Sequence, residues 1–235
     1  MPRKNLLIYG LQRSGTHYLE ALLRKRFKVN ILNHEGGGSD PRQRHFRPYN
    51  EKELVPDPAF HNDYKIDRLA DLEQALELKP APDAFLILSK NPYAWYLSYC
   101  RYAYQQNWPE VDHNYIEEYN RFYGKWLQLA EGEHRVHLVK YGDLLREPEA
   151  VLGELQGALR LEKRAFPWLV WLPRRIRRVL RHFSDRRRKY YLGEHFYGDI
   201  DPWEMSKINE GIDPELVRAL GYTPYPGAAA NVDQS

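Results

Sequence analysis

Tyr9-Gly10-Leu11-Gln12-Arg13-Ser14-Gly15-Thr16-His17 stands between the apolar run Leu6 to Tyr9 and the spaced leucines Leu19, Leu22 and Leu23. An apolar run, a two-glycine turn and then a 3.6-residue periodicity predict a strand, a tight loop and a helix. Gly10 and Gly15 let the backbone approach an anion with no Cβ in the way. The helix opening near Thr16 adds unpaired N–H groups and the positive end of its dipole. A phosphate fits such a turn.

Gly10 and Gly15 keep the glycine spacing of a Walker A loop, G-x-x-x-x-G-K-[ST], but Thr16 and His17 follow where Lys and Ser/Thr would stand. The cation lies earlier, at Arg13, inside the turn. From there a guanidinium can fork onto the oxygens around a bond being broken.

Working outward, Leu19, Leu22, Leu23 and Phe27 line one face of a helix over about 16–26, and 29–32 reads as a short strand. Residues 33–63 form a long polar stretch with Gly36-Gly37-Gly38 and several prolines, which we read as facing a substrate. A helix is predicted over 67–78, a buried strand over 84–88, an aromatic helix over 93–104 and a longer helix over 112–130 with the stripe Tyr115, Tyr119, Phe122, Tyr123, Trp126 and Leu129. A fourth strand over 136–139, a helix over about 147–159 and short helices near 202–209 and 214–220 complete the reading. No repeat is visible. Strands alternating with helices predict an α/β fold, a central parallel sheet flanked by helices on both faces, with ligands at the carboxyl ends of the strands.

At 235 residues, 43% hydrophobic and 29% charged, the chain has the composition of a soluble globular protein. A single domain over 1–225 with a disordered tail over 226–235 is expected. Cys100 is the only cysteine and cannot form an internal disulfide, and no run reads as a signal peptide or a membrane span, so the expected location is cytoplasmic. The net charge of +3 is uneven. Arg160 to Lys189 carries twelve Lys and Arg against Glu162 and Asp185, a local +10 that leaves −7 for the rest.

A second motif closes the third strand, Ser89-Lys90-Asn91-Pro92, with Ser98 eight positions after Lys90. A cation at a strand end and a hydroxyl two helical turns on can flank one phosphate, and Pro92 suits a first helical turn. A third is Tyr141-Gly142-Asp143-Leu144-Leu145 with Pro148, and a fourth is Asp185-Arg186-Arg187-Arg188-Lys189-Tyr190-Tyr191-Leu192.

Together these resemble the sulfotransferases that use 3′-phosphoadenosine-5′-phosphosulfate. Arg13-Ser14-Gly15-Thr16 is similar to the family's 5′-phosphosulfate loop, Lys90 and Ser98 to its 3′-phosphate pair R-[DN]-P…S, and Tyr141 to the tyrosine beside the adenine in Y-E-D-L-x-x-x-P. The departures are Lys90 for Arg, which removes bidentate geometry, and Gly142 for Glu. The segment around Arg187 and Arg188 resembles the basic stretch that closes over the 3′-phosphoadenosine end, without the R-K-G-x-x-G signature, and Glu215 to Tyr222 resembles the closing helix.

The resemblance implies a P-loop-containing nucleotide hydrolase-like fold and a sulfotransferase acting on a carbohydrate or small molecule. Arg13, Ser14, Gly15, Thr16 and His17 would hold the 5′ side of the donor. Lys90, Ser98, Tyr141, Arg187 and Arg188 would hold the rest. The transfer needs a base for the acceptor proton. Gln43-Arg44-His45-Phe46 resembles the K-x-H-[LF] loop that supplies a catalytic histidine, and Glu35 falls where the tyrosylprotein sulfotransferases place a glutamate, so His45 and Glu35 stay open, with His34 and His61 behind them. No His or Cys spacing fits a metal site, and none is expected. Trp168, Trp171 and the arginines from 174 to 181 form an aromatic, basic patch, so a peripheral membrane contact through 166–181 stands beside a role as a lid. The expected partner is a small-molecule or carbohydrate acceptor rather than nucleic acid. The alternatives are a P-loop kinase or NTPase, and a non-catalytic protein that binds polyanions or a membrane surface through 160–189.

Overall fold

The computed structural model describes residues 3–33, 40–49, 64–106, 115–166 and 185–225. Four strands form one sheet, β1 (Lys4–Tyr9), β2 (Val29–Ile31), β3 (Ala84–Ser89) and β4 (Val136–Lys140), in the order β2-β1-β3-β4. Every pair is parallel, with Lys4 opposite Val29, Leu6 opposite Ala84 and Phe85 opposite Val136.

The two central strands are apolar from Leu6 to Tyr9 and from Ala84 to Leu88 because both of their faces are covered. Leu7 and Tyr9 of β1 and Phe85 and Ile87 of β3 point into one core, and Leu6, Ile8, Leu86 and Leu88 into the other. The first core is closed by α2 (Leu69–Leu76), α3 (Pro92–Gln105) and α4 (Tyr115–Ala130), the second by α1 (Thr16–Arg26), α5 (Tyr141–Arg146) and α6 (Pro148–Leu159). The doubly covered parallel sheet is the α/β architecture that the alternation of strands and helices predicts. The chain continues with α7 (Asp185–Leu192), a 3₁₀ turn (His195–Asp199), α8 (Pro202–Gly211) and α9 (Pro214–Ala219).

Two local readings change. Tyr141 to Leu145, expected as a turn leading into one helix, is itself the helix α5, and Pro148 starts α6 as a separate element at N1, where its missing N–H costs nothing. Within the polar stretch 33–63, Gln43, Arg44, Phe46 and Arg47 are buried rather than exposed to a substrate. Residues 34–39 and 50–63 lie outside the described residues, as do 167–184 and 226–235. No helix among the described residues is long and apolar enough to cross a membrane.

The strand order reverses between β1 and β3, because the chain leaves β1 toward β2 on one side and returns to β3 on the other. A crevice therefore opens at the carboxyl ends of these two strands. Gly10 and Lys90 stand on its two sides.

Candidate active site

After β1 the backbone turns through Arg13 at φ 70° and Gly15 at φ 104° before α1 begins at Thr16. Both glycines are required by contact. A Cβ at Gly10 would lie 2.8 Å from the Leu88 carbonyl oxygen, and one at Gly15 would lie 2.6 Å from the Tyr141 ring. The ring of Tyr141 thus closes one wall of the cradle, and the first turn of α1 contributes N–H groups that have no intrahelical partner. Ser14 and Thr16 are buried in the turn, while Arg13 is exposed with its guanidinium 5.4 Å from the centre of the Tyr102 ring.

The segment 40–49 packs directly under this loop. Gly10 N–H donates to the Arg44 carbonyl at 3.2 Å, and Tyr9 Oη to the Pro41 carbonyl at 2.6 Å. Arg47 donates to Gln12 Oε1 at 2.7 Å and pairs with Glu118 of α4, both charges fully buried. His45 Nδ1 lies 2.7 Å from the Gly10 carbonyl oxygen. A carbonyl only accepts, so Nδ1 carries the proton and Nε2 keeps its lone pair. Burial pushes the His45 pKa down to about 3 against the opposing pull of the Gly10 hydrogen bond, so the ring is neutral near pH 7. The side chain of His17 faces Arg44, whose guanidinium donates to His17 Nδ1 at 2.9 Å. Arg44 also pairs with buried Glu20.

Across the crevice, Asn91 caps α3 through Tyr93 N–H at 3.1 Å, and Pro92 occupies its first turn. The cap follows directly on the end of β3, Ser89, and on Lys90, both buried. Two tyrosines of α4 hold the same strand end, Tyr119 donating to the Lys90 carbonyl at 2.8 Å and Tyr123 to the Leu88 carbonyl at 3.0 Å. Lys90 is 3% exposed, and its Nζ donates to Ser98 Oγ at 2.6 Å and to Tyr191 Oη at 3.2 Å. The same ammonium stands 4.3 Å from the centre of the Tyr191 ring and 5.4 Å from that of Tyr141. Burial pushes its pKa down to about 8, with Tyr191 opposing the shift and Arg13 and Arg187 adding to it. No carboxylate pairs with Lys90 among the described residues.

The residues singled out in the sequence divide accordingly. Arg13, Ser14, Gly15 and Thr16 form the loop, and Lys90, Ser98 and Tyr141 gather at its rim. Arg187 projects from α7 near enough to act on Lys90 and Tyr191. Arg188 donates to the Arg146 carbonyl at 3.1 Å and ties α7 to α5. His45 sits beside Gly10, and Glu35, His34 and His61 lie outside the described residues, as does most of 166–181. Among the described residues no group of three or more His, Cys, Asp or Glu side chains converges.

Sequence reasoning missed three participants. Tyr191 had no spacing to tie it to Lys90, 101 positions away. Tyr222 Oη, 3.2 Å from Ser89 Oγ, was equally remote. The Arg47–Glu118 pair did leave a signal: Glu118 is the one acid in the apolar stripe, four positions before Phe122 and eight before Trp126.

No family model matches the chain, and no curated protein matches it. Among solved structures, the sulfotransferase from Alicyclobacillus acidocaldarius is 14% identical with a TM-score of 0.41, the match covering 86% of this chain and 99% of that one. The sulfotransferase domain from the Synechococcus PCC 7002 olefin synthase is 15% identical with a TM-score of 0.47, covering 94% and 95%. At these identities and scores neither likeness speaks for chemistry, which the geometry of the site has to carry.

Proposed function

We propose that this chain is a sulfotransferase that moves a sulfuryl group from 3′-phosphoadenosine-5′-phosphosulfate to a hydroxyl of a carbohydrate or small molecule. The observation that carries the reading is Lys90, a buried ammonium with no carboxylate partner among the described residues, facing a glycine cradle across the crevice between β1 and β3. A buried cation without a counter-ion is costly unless an anion arrives to pair with it. Two anion sites flanking one crevice suit a ribose phosphorylated at both ends.

In this reading the backbone N–H groups from Ser14 to Thr16, with the hydroxyls of Ser14 and Thr16, hold the 5′ side, and Arg13 meets the charge that grows on the transferring and leaving oxygens. Lys90 and Ser98 hold the 3′-phosphate, Tyr141 lies by the adenine, and Arg187 and Arg188 belong to the helix that closes over it. The acceptor oxygen forms its bond to sulfur as the bridging S–O bond breaks, the 3′,5′-bisphosphate leaves, and the acceptor proton passes to a base. Two bases stay open for that proton, Glu35 and Nε2 of His45, whose tautomer leaves the lone pair available while its burial makes it a weak base. With His45 as the base, a low pKa places the acid limb of the rate profile well under the ordinary histidine value. A loss in Glu35→Gln with His45→Asn active would give the role to Glu35. A P-loop kinase would need the Walker lysine, where Thr16 stands, and an acid at the β3 end, where Ser89 and Lys90 stand.

The test is calorimetric titration with 3′-phosphoadenosine 5′-phosphate and, separately, with ATP and Mg²⁺, for the wild type, Arg13→Ala and Lys90→Met. Metal-independent binding of the bisphosphate that weakens at least tenfold in both variants is expected. Binding of ATP with Mg²⁺ and not of the bisphosphate would replace this reading with the kinase one.

A further inference from the structure

We infer that the hydroxyl of Tyr191 is a direct ligand of the donor's 3′-phosphate, the third arm of a site whose other arms are Lys90 Nζ and Ser98 Oγ. The inference rests on the donor reading given above and adds to it a residue that sets selectivity for the 3′-phosphate.

The three polar atoms converge on one point. Tyr191 Oη is 3.2 Å from Lys90 Nζ and 3.3 Å from Ser98 Oγ, and those two are 2.6 Å apart. They come from the β3 end, the second turn of α3 and the last turn of α7, so the triangle exists only in the folded chain. Ser98 Oγ spends its own proton on the Ala94 carbonyl at 2.8 Å, in the manner of a helical serine. Its lone pairs accept from Lys90 and, at the longer 3.3 Å, from the Tyr191 hydroxyl, so Tyr191 carries the neutral O–H at the triangle that can turn from a long bond toward an incoming oxyanion. Burial raises the pKa of that phenol, and Lys90, Ser98 and Arg187 together outweigh burial and bring it below the ordinary tyrosine value, as for a hydroxyl in a cationic field. A more acidic O–H is the stronger donor to an anion.

The ring is fixed independently of the hydroxyl. It packs edge-on against Tyr141 with centroids 5.5 Å apart and against Tyr190 at 5.1 Å. Tyr190 in turn donates to Asp199 at 2.6 Å, and Arg101 of α3 meets the same carboxylate at 3.2 Å. Removing only the oxygen of Tyr191 therefore leaves the helix seated, and the variant reads the hydrogen bond alone.

The experiment compares 3′-phosphoadenosine 5′-phosphate with adenosine 5′-phosphate, which lacks the 3′ group, in calorimetric titrations of the wild type, Tyr191→Phe and Tyr190→Phe, with thermal melts of each protein. A hydrogen bond to a charged group corresponds to a loss of about tenfold or more in affinity. Tyr191→Phe is expected to lose that factor for the bisphosphate and nothing for the monophosphate, while Tyr190→Phe keeps the wild-type preference between the two. An equal loss for both nucleotides would make Tyr191 a structural residue. Unchanged or tighter binding of the bisphosphate would mean that the hydroxyl does not contact the phosphate or competes with it, and either overturns the assignment. A wild type that does not distinguish the two nucleotides removes the donor reading and this inference with it. A wild type that distinguishes them, with Tyr191→Phe distinguishing them equally well, removes this inference alone.

Discussion

Lys90 carries a cost in the free protein. Its ammonium is buried against Ser98, Tyr191 and Tyr141, with the cations Arg13 and Arg187 in range, and burial brings its pKa from 10.5 to about 8. Between those two values the unfolded chain holds the extra proton, so this residue makes stability rise with pH across that window. Below about 8 both states are charged and the full cost of burying the charge is present. Lys90→Met is therefore expected to melt no lower than the wild type at pH 7, and higher by a few degrees if the methionine packs, while losing the bisphosphate. A melting temperature that falls well below wild type would show that the ammonium already has a stabilising partner and is not waiting for an anion. Lysine, serine and the eight-residue spacing were all legible in the chain. The lack of a carboxylate partner among the described residues was not, because it is a property of the surroundings of the residue.

At the scale of elements, the loop after β1 is held from below by 40–49 and, through that segment, by α4. Arg47 bridges Gln12 of the loop to Glu118 of α4, and both charged groups are withdrawn from water. Removing one member of such a pair leaves an uncompensated buried charge and costs about 3–5 kcal/mol, whereas replacing both by apolar groups of similar size is often near neutral. Glu118→Leu and Arg47→Met should each lower the unfolding free energy by about that amount, and the double variant should regain most of it. Urea denaturation of the four proteins measures the coupling, and simple additivity of the two losses would show that the pair does not act as a unit. The start expected for α4 at 112 lies outside the described residues, while its end at Ala130 followed from periodicity and the start of α3 from Pro92. The buried face of 43–47 did not, because Gly, Pro and polar side chains read as solvent-facing until a partner such as Glu118 is placed beside them.

For the whole molecule, acid should act through the underside of the loop before it acts on most surface charges. Burial pulls the His45 pKa from 6.5 to about 3, so between those values the unfolded chain takes up a proton that the folded one refuses. Stability is complete above about 6.5 and declines as pH falls through the window below it. Asp83 adds to the loss further down: burial raises its pKa, but the Asn5 N–H and Lys4 that join the entry of β3 to β1 outweigh it and hold the carboxylate below its usual value. Thermal melts at pH 7, 5.5 and 4.5 should fall steadily for the wild type. His45→Gln, which can still donate to Gly10, should flatten much of the decline over that range and leave the part due to His137, whose pKa burial also lowers, and the carboxylate-driven part in stronger acid. An unchanged slope would place the acid-sensitive group elsewhere.

The sequence by itself determined the strand–loop–helix at Gly10 to Thr16, the alternation that makes the sheet parallel and doubly covered, and the pairing of a cation with a hydroxyl at Lys90 and Ser98. Each of these is local: a glycine spacing, a hydrophobic period or a helical repeat within some twenty residues, which the chain expresses wherever it folds. The tertiary structure alone decided that β1 and β3 are neighbours at the point where the strand order reverses, that Tyr141 walls Gly15, and that Tyr191 reaches Lys90 across 101 positions of chain. It also decided that the stretch after β2 runs under the loop rather than only out toward a substrate. These are long-range contacts set by which surfaces can be buried against each other, and no period or spacing in the chain encodes them.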